Sequence, residues 1–197
     1  MKTVVVRPER CVGCLQCRVS CAVAHSISNS LYTAPYEHIL SKPRIHIGLS
    51  RNKEPFPNKC RHCDPAPCEM SCLTSAISRD AVTKAVIINP ERCINCGMCS
   101  MACPFGVIRY HTYLNMKEAA HKCDQCAARQ REGRVPACTE VCKTGALVFE
   151  DYNKAMDKST DEIASLVYLG IRERAGEKGP FETLATYKHS LQELKRR

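Results

Sequence analysis

Sixteen cysteines divide into four sets of four along a chain of 197 residues, and no cysteine falls outside these sets. Two sets share the spacing C-x2-C-x2-C-x3-C: motif one (Cys11, Cys14, Cys17 and Cys21) and motif three (Cys93, Cys96, Cys99 and Cys103). Two others lengthen the middle gap: motif two (Cys60, Cys63, Cys68 and Cys72) and motif four (Cys123, Cys126, Cys138 and Cys142). Such spacing forces the backbone of each motif to fold around a small centre.

This spacing is the ligand pattern of the [4Fe-4S] clusters of bacterial ferredoxins. A C-x2-C-x2-C segment forms a tight loop that directs three thiolates at one cluster and turns backbone N–H groups toward the sulfurs. In two-cluster ferredoxins the fourth cysteine binds the neighbouring cluster. The sequence therefore predicts four [4Fe-4S] clusters, with all sixteen cysteines as ligands to cluster iron.

Other uses of cysteine fit the spacing less well. Zinc sites generally take two separated C-x2-C pairs, so a zinc-binding interaction module is the alternative from another class. Disulfides are not expected, because Met1-Lys2-Thr3 opens no signal peptide and intracellular thiols stay reduced. A three-iron cluster would need a missing ligand, and every motif keeps its four cysteines.

Internal repetition indicates duplicated structural units. The segment Pro-Glu-Arg-Cys-x-x-Cys-x-x-Cys at residues 8–17 recurs at residues 90–99. Motifs two and four form a second pair, since Lys59-Cys60 matches Lys122-Cys123. The order is thus A-B-A-B over a long period, which favours two fused units over a solenoid. We expect an α+β fold of two bacterial-type 2[4Fe-4S] ferredoxin-like units with long loops and a helical C-terminal tail.

The formal net charge of +9 at pH 7 counts cysteine as neutral. Because thiolate-ligated clusters are anions, the basic residues balance cluster charge, and no nucleic-acid partner is expected. Only four phenylalanines and no tryptophan supply large core residues. Cluster binding should therefore provide much of the folding free energy. No dinucleotide or nucleotide motif is present.

Short strands are expected at residues 4–6, 44–47, 85–88, 107–110 and 146–149. In the tail, Ser159 and Glu162 resemble a capping box before a helix at residues 163–175, and a second helical stretch covers residues 180–197. The apolar run 163–171 is too short to cross a bilayer, so no membrane span is predicted.

Three further features allow two interpretations each. The basic loop 127–137 is either a solvated surface or a docking site for an acidic partner. His25, which follows motif one, and His62, inside motif two, either tune a cluster by hydrogen bonding or have ordinary loop roles.

Four motifs in this order resemble the iron–sulfur subunits of the dimethyl-sulfoxide-reductase type, which serve molybdopterin oxidoreductases, formate dehydrogenases, hydrogenases and carbon monoxide dehydrogenases. The segment FPNKCRHCDPAPC at residues 56–68 and residues 97–99, 103–107 and 129–134 are most similar to the iron–sulfur protein of carbon monoxide dehydrogenase systems. The resemblance covers residues 1–150.

The resemblance implies a nested pairing of motif one with four and of motif two with three. Four ligand sets follow: Cys11, Cys14, Cys17 and Cys142; Cys123, Cys126, Cys138 and Cys21; Cys60, Cys63, Cys68 and Cys103; Cys93, Cys96, Cys99 and Cys72. It also implies one unit of residues 1–50 plus 109–150, a second of residues 51–108, and a tail of residues 151–197. Spacing alone also allows sequential pairing of one with two and of three with four.

The function expected on this resemblance is electron transfer in the cytoplasm, within anaerobic redox metabolism. The chain would take electrons from a nickel carbon monoxide dehydrogenase and pass them to a hydrogenase or a flavin-dependent NAD(P) oxidoreductase. The alternative is the iron–sulfur subunit of a formate dehydrogenase or hydrogenase. No catalytic residue is predicted, because four cysteines per cluster leave no iron position open to substrate.

Overall fold

A computed structural model describes residues 2–113 and 116–175 of the chain. Its strands are short: β1 (Lys2–Val6), β2 (His46–Leu49), β3 (Pro55–Asn58), β4 (Ile77–Arg79), β5 (Val86–Ile88), β6 (Arg109–Thr112), β7 (Glu118–His121) and β8 (Leu147–Asp151). The helices are α1 (Gln16–Ala24), α2 (Pro67–Met70), α3 (Met98–Ala102), α4 (Ala127–Arg131), α5 (Ala137–Glu140) and α6 (Tyr152–Ala175), with 3-10 turns at Pro8–Arg10 and Ala34–Tyr36.

Within the described residues the strands form four two-stranded sheets: β1–β8, β2–β3, β4–β5 and β6–β7. The last three are antiparallel, with His46 opposite Asn58, Ile77 opposite Ile88 and Arg109 opposite His121. A two-stranded sheet is at best marginally stable alone in water. Each sheet must therefore be stabilised by the segments that pack beside it. Residues of β1, β4, β5 and β8 lie in buried clusters that also contain cysteines of the motifs.

The buried apolar side chains form two separate clusters, and both contain cysteines. One cluster holds Val4, Cys17, Cys21, Ile45, Cys138 and Leu147. The other holds Ala66, Cys68, Ala76, Ile77, Val86, Cys93, Cys99, Ile108, Ala119 and Ala120. Most members are small, so little apolar surface is available to each cluster. The prediction of a thin core agrees with this composition.

The chain divides into two compact units, residues 2–149 and the part that begins at Glu150. The first unit contains both buried clusters. Ala119 and Ala120 lie in the cluster of motifs two and three, although the proposed boundary places residues 109–150 with motifs one and four. The further division of this unit into two ferredoxin-like units stays a prediction.

A mixed helix–strand fold with a helical C-terminal segment is present, but some predicted boundaries differ. β2 and β6 each begin two residues later than predicted, at His46 and Arg109. The prediction of a capping box at Ser159 is wrong, because α6 begins at Tyr152. The Asp151 carboxylate accepts the backbone N–H of Asn153 at 3.1 Å, which caps the helix eight residues before the predicted cap at Ser159.

The predicted helical stretch at residues 180–197 lies outside the described residues. In the part of the chain that the structure describes, no helix is both long and apolar enough to span a membrane.

Candidate metal centres

The four motif loops share one backbone feature that explains how they fold. In each loop the second residue after the first cysteine has positive φ: Gly13 at 70°, His62 at 53°, Asn95 at 58° and Gln125 at 59°. This left-handed residue turns the chain back on itself. In motifs two and four its N–H donates to the sulfur of the first cysteine, from His62 to Cys60 and from Gln125 to Cys123, both at 3.4 Å.

Four thiols line one cavity and form the first outer group: Cys11, Cys14, Cys17 and Cys142. Burial raises the pKa of Cys17, and repulsion from the other three thiols of the group raises it further. Motif four thus supplies one thiol to the three of motif one.

A second cavity is lined by the second outer group: Cys72, Cys93, Cys96 and Cys99. Burial raises the pKa of Cys99, and repulsion from the other three thiols acts in the same direction. Here motif two supplies one thiol to the three of motif three.

The first inner group combines motif four with the last cysteine of motif one: Cys21, Cys123, Cys126 and Cys138. Burial raises the pKa of Cys21 to about 12, and repulsion from Cys123 and Cys126 contributes. Burial also raises the pKa of Cys138, with repulsion from the same two thiols and from Cys21. Cys21 and Cys138 also lie in one buried cluster, which places the last cysteine of motif one beside motif four.

The second inner group combines motif two with the last cysteine of motif three: Cys60, Cys63, Cys68 and Cys103. Burial raises the pKa of Cys68 to about 11, and repulsion from Cys60 and Cys103 adds to the rise. Cys63 lies in the same loop as Cys60. No member of either inner group is exposed, whereas Cys14 and Cys96 of the outer groups are.

The donor set in each group fits an iron–sulfur cluster. Soft thiolates select iron–sulfur clusters, zinc and copper(I) among metal centres. Each of the four groups combines three cysteines of one motif with the last cysteine of another. The combinations are motif one with four and motif two with three, as in the nested scheme, whereas sequential pairing would combine motif one with two and three with four. The assignment of these groups as cluster ligands remains a prediction.

Buried hydrogen-bond donors near the inner groups also fit an anionic centre. His62 is 4% exposed, and its Nδ1 accepts the Val86 N–H at 3.0 Å. Its Nε2 is buried without a protein partner. Burial lowers the pKa of His62 to about 2, and the ammonium groups of Lys122 and Lys59 lower it further. The ring is therefore neutral, and its proton lies on Nε2, which can donate to a bound acceptor.

A polar network that sequence analysis missed ties motif one to motif four. The Asp124 carboxylate lies 3.0 Å from His25 Nε2 and accepts a hydrogen bond from the Arg44 guanidinium at 2.7 Å. Burial would raise the pKa of Asp124, but the His25 hydrogen bond and the Arg44 charge hold it well below its usual range. The Arg44 N–H donates to the Cys21 sulfur at 3.2 Å. His25 Nδ1 lies 2.7 Å from the carbonyl oxygen of Cys21 and 3.8 Å from its sulfur, so the structure is compatible with both interpretations of His25, a cluster-tuning contact and an ordinary loop role.

The basic loop 127–137 is less free than its composition suggests. It forms α4 and a turn, and Arg129 pairs with Glu140. Arg131 pairs with Asp80 of the segment between β4 and β5. These two ion pairs reduce the positive charge that the loop can offer to a partner, which favours the interpretation of a solvated surface.

Apolar side chains cover the outer groups only thinly. Val12 and Leu15 line the cavity of the first outer group, and Ile94 and Met98 line that of the second. All four side chains are at least 42% exposed. Both outer cavities therefore reach the molecular surface through apolar patches, while the inner groups lie deeper.

Comparison with known proteins gives consistent results. A family model described as a 4Fe-4S dicluster domain matches residues 52–152. HydN of Escherichia coli (strain K12), named as an electron transport protein, is 36% identical over 171 residues, which cover 81% of this chain and 93% of HydN. NrfC from the same strain is 33% identical over 158 residues, covering 80% of this chain and 66% of NrfC.

UacF from that strain, a candidate oxidoreductase, is 35% identical over 150 residues, which cover 76% of this chain. The matched part is 21% of UacF, so the chain spans about a fifth of that longer protein.

Proposed function

Because this chain belongs to the family of 4Fe-4S dicluster domains, an iron–sulfur family that includes an electron transport protein, we propose that it carries four [4Fe-4S] clusters and conducts electrons between redox partners. Each of the four thiol groups would hold one cluster. A bound [4Fe-4S] cluster supplies one-electron transfer, at a potential set by charge, hydrogen bonds to sulfur and exposure. The observation that carries the proposal is the assembly of sixteen cysteines into four groups of four.

The order of the groups supports a linear path. α1 carries Cys17 of the first outer group and Cys21 of the first inner group. α3 carries Cys99 of the second outer group and is followed directly by Cys103 of the second inner group. The two inner groups are linked at Val86, whose carbonyl accepts from Lys122 next to Cys123 and whose N–H donates to His62 between Cys60 and Cys63. The path therefore runs from outer to inner, to inner, to outer.

The protein side chains exclude water from the centre of this path and admit partners at its ends. The inner groups contain no exposed cysteine, so electrons would enter and leave near the exposed Cys14 and Cys96 of the outer groups. The apolar patches beside these cysteines suit contact with partner proteins, because small transient redox interfaces need a cluster close to each surface. No residue of this chain is proposed to be catalytic.

The identity of the redox partners is a separate and more specific part of the proposal. Carbon monoxide dehydrogenase as donor, with a hydrogenase or a flavin-dependent NAD(P) oxidoreductase as acceptor, rests on the sequence resemblance of residues 56–68. The iron–sulfur subunit of a formate dehydrogenase or hydrogenase is the alternative. The match to one part of UacF favours an oxidoreductase as the class of partner. A cytoplasmic location is part of the same proposal.

Anaerobic purification followed by iron and acid-labile sulfide analysis tests the cluster content. Four clusters require about sixteen iron and about sixteen sulfide per chain. Stepwise reduction followed by electron paramagnetic resonance should show interacting clusters, because the groups share helices. Stoichiometric zinc without sulfide would contradict the proposal and support the zinc-binding module instead. Co-purification from the source cells identifies the partners.

A further inference from the structure

Two lysines are buried beside the inner groups, each directly before the first cysteine of its motif. Lys59 precedes motif two and is 1% exposed, and Lys122 precedes motif four and is 3% exposed. Lysine is almost never fully buried unless it is paired. Lys59 Nζ donates to the carbonyl oxygen of Cys60 at 2.9 Å. Lys122 Nζ donates to the Val86 carbonyl and, at 3.3 Å, to that of Cys123.

Neither ammonium forms an ion pair with a carboxylate among the residues that the structure describes. Burying an ammonium without a counter-charge costs free energy that carbonyl partners only partly recover. The anionic charge that balances these lysines must therefore come from another component of the site. The thiolates of the inner groups, with the iron and sulfide that they would hold, are anionic and lie beside them.

The Lys122 side chain also connects the two inner motifs. Its Nζ donates to the Val86 carbonyl, and the Val86 N–H donates to Nδ1 of His62 in the loop of motif two. Lys122, at the start of motif four, therefore reaches the loop of motif two.

A fixed positive charge in this position favours electron uptake. A thiolate-ligated cluster becomes more negative when it accepts an electron, and a nearby cation stabilises that state. The attraction is strong in a buried site, where the effective dielectric constant is low, and weak at a surface, where water and salt screen it. Buried lysines therefore influence potential far more than surface lysines do.

We propose that Lys59 and Lys122 hold a fixed positive charge beside the two inner clusters and raise the reduction potentials of both. The inference rests on the proposed function. It adds that two buried lysines tune the potentials of the inner clusters and prevent a low-potential step at the centre of the path.

The test replaces each lysine by glutamine, which removes the charge and keeps a donor. K59Q, K122Q and the double variant are compared with K143Q, whose lysine is exposed and directly follows Cys142. Redox titration of the full chain under anaerobic conditions, followed by electron paramagnetic resonance, gives the four midpoint potentials. We expect two potentials to fall in each single variant and to fall further in the double variant, and all four to stay unchanged in K143Q. A tenfold loss of preference for the reduced state appears as a fall of about 59 mV.

Iron content separates the failure of this inference from the failure of the proposed function. A parent protein that holds fewer than four clusters contradicts the proposed function itself. Full iron content with unchanged potentials in the double variant, or an equal shift in K143Q, overturns the lysine inference alone. If the glutamine variants lose clusters, the arginine variants K59R and K122R, which keep the positive charge, are analysed instead. Retention of all four clusters in the arginine variants supports a role for the charge. Loss of clusters in the arginine variants as well overturns the lysine inference.

Discussion

The grouping of Cys142 with Cys11, Cys14 and Cys17 predicts how pairs of cysteine substitutions combine. C142A should alter the cluster of the first outer group, because this cavity is lined by all four thiols. C14A should alter the same cluster, and Cys14 is exposed, so its loss removes little buried contact. The C14A/C142A pair should therefore alter one cluster, as each single variant does.

The matched control combines C142A with C96A, which lies in the second outer group. This pair should alter two clusters. At about four iron per cluster, complete loss would leave about twelve iron per chain in C14A/C142A and about eight in C96A/C142A. Because a damaged cluster can keep some iron, Mössbauer spectroscopy should count the intact [4Fe-4S] clusters directly.

Sequential pairing makes the opposite prediction. If motif four served motif three, C142A and C96A would affect one shared cluster, and C142A and C14A would affect two. A finding of two intact clusters in C14A/C142A and three in C96A/C142A would refute the nested grouping, whatever the total iron of the parent protein.

Three further predictions concern stability and local structure. Chelation of iron should unfold most of residues 2–149, since the cores are thin and metal binding is coupled to folding; a cooperative melt with native near-UV circular dichroism in the apoprotein would contradict this. I45A should lower the free energy of unfolding of the loaded protein by about 2–5 kcal/mol in denaturant titration, because Ile45 is 2% exposed, and a change below about 1 kcal/mol would show that the site is loosely packed. Hydrogen bonds from Ser28 lower the pKa of Glu37, so this contribution to stability is complete above the usual carboxyl pKa and is lost as the pH falls through the lowered value. The protection factor of the Ser28 amide, which is its intrinsic exchange rate divided by its observed rate, should fall over that range in the parent, and E37Q should abolish this pH dependence.

The spacing of the cysteines predicted the local structure of the motifs well. Ligand spacing acts over a few residues, and the repeat of residues 8–17 at 90–99 reappears as equivalent positive-φ positions at Gly13 and Asn95. The strands that enter motifs one and three, β1 and β5, were also predicted, because apolar β-branched runs are local signals. Which fourth cysteine joins which loop is a tertiary property, and only the family resemblance indicated it.

Other parts of the site had no local signal. The Lys59–Cys60 and Lys122–Cys123 pairs were visible as a repeat, but a surface lysine and a buried lysine have the same sequence appearance. Asp124 reads as an ordinary acidic loop residue, and its contact with Arg44 joins positions 80 residues apart. The helix start at Tyr152 was missed because Ser159 and Glu162 fit a capping pattern. In the structure Asp151 caps the helix, and Ser159 lies inside it.

The nested grouping has a consequence for biosynthesis. As the chain leaves the ribosome, motifs two and three complete their grouping first, because both lie between motif one and motif four. Motif one emerges earliest but has to wait for α5, where the Ala137 carbonyl accepts the hydroxyl of Ser20. During this interval the first four cysteines are unpaired thiols on a nascent chain. The part of the path that is synthesised first is thus the last to be completed, and interrupted translation would leave one assembled half beside one reactive half.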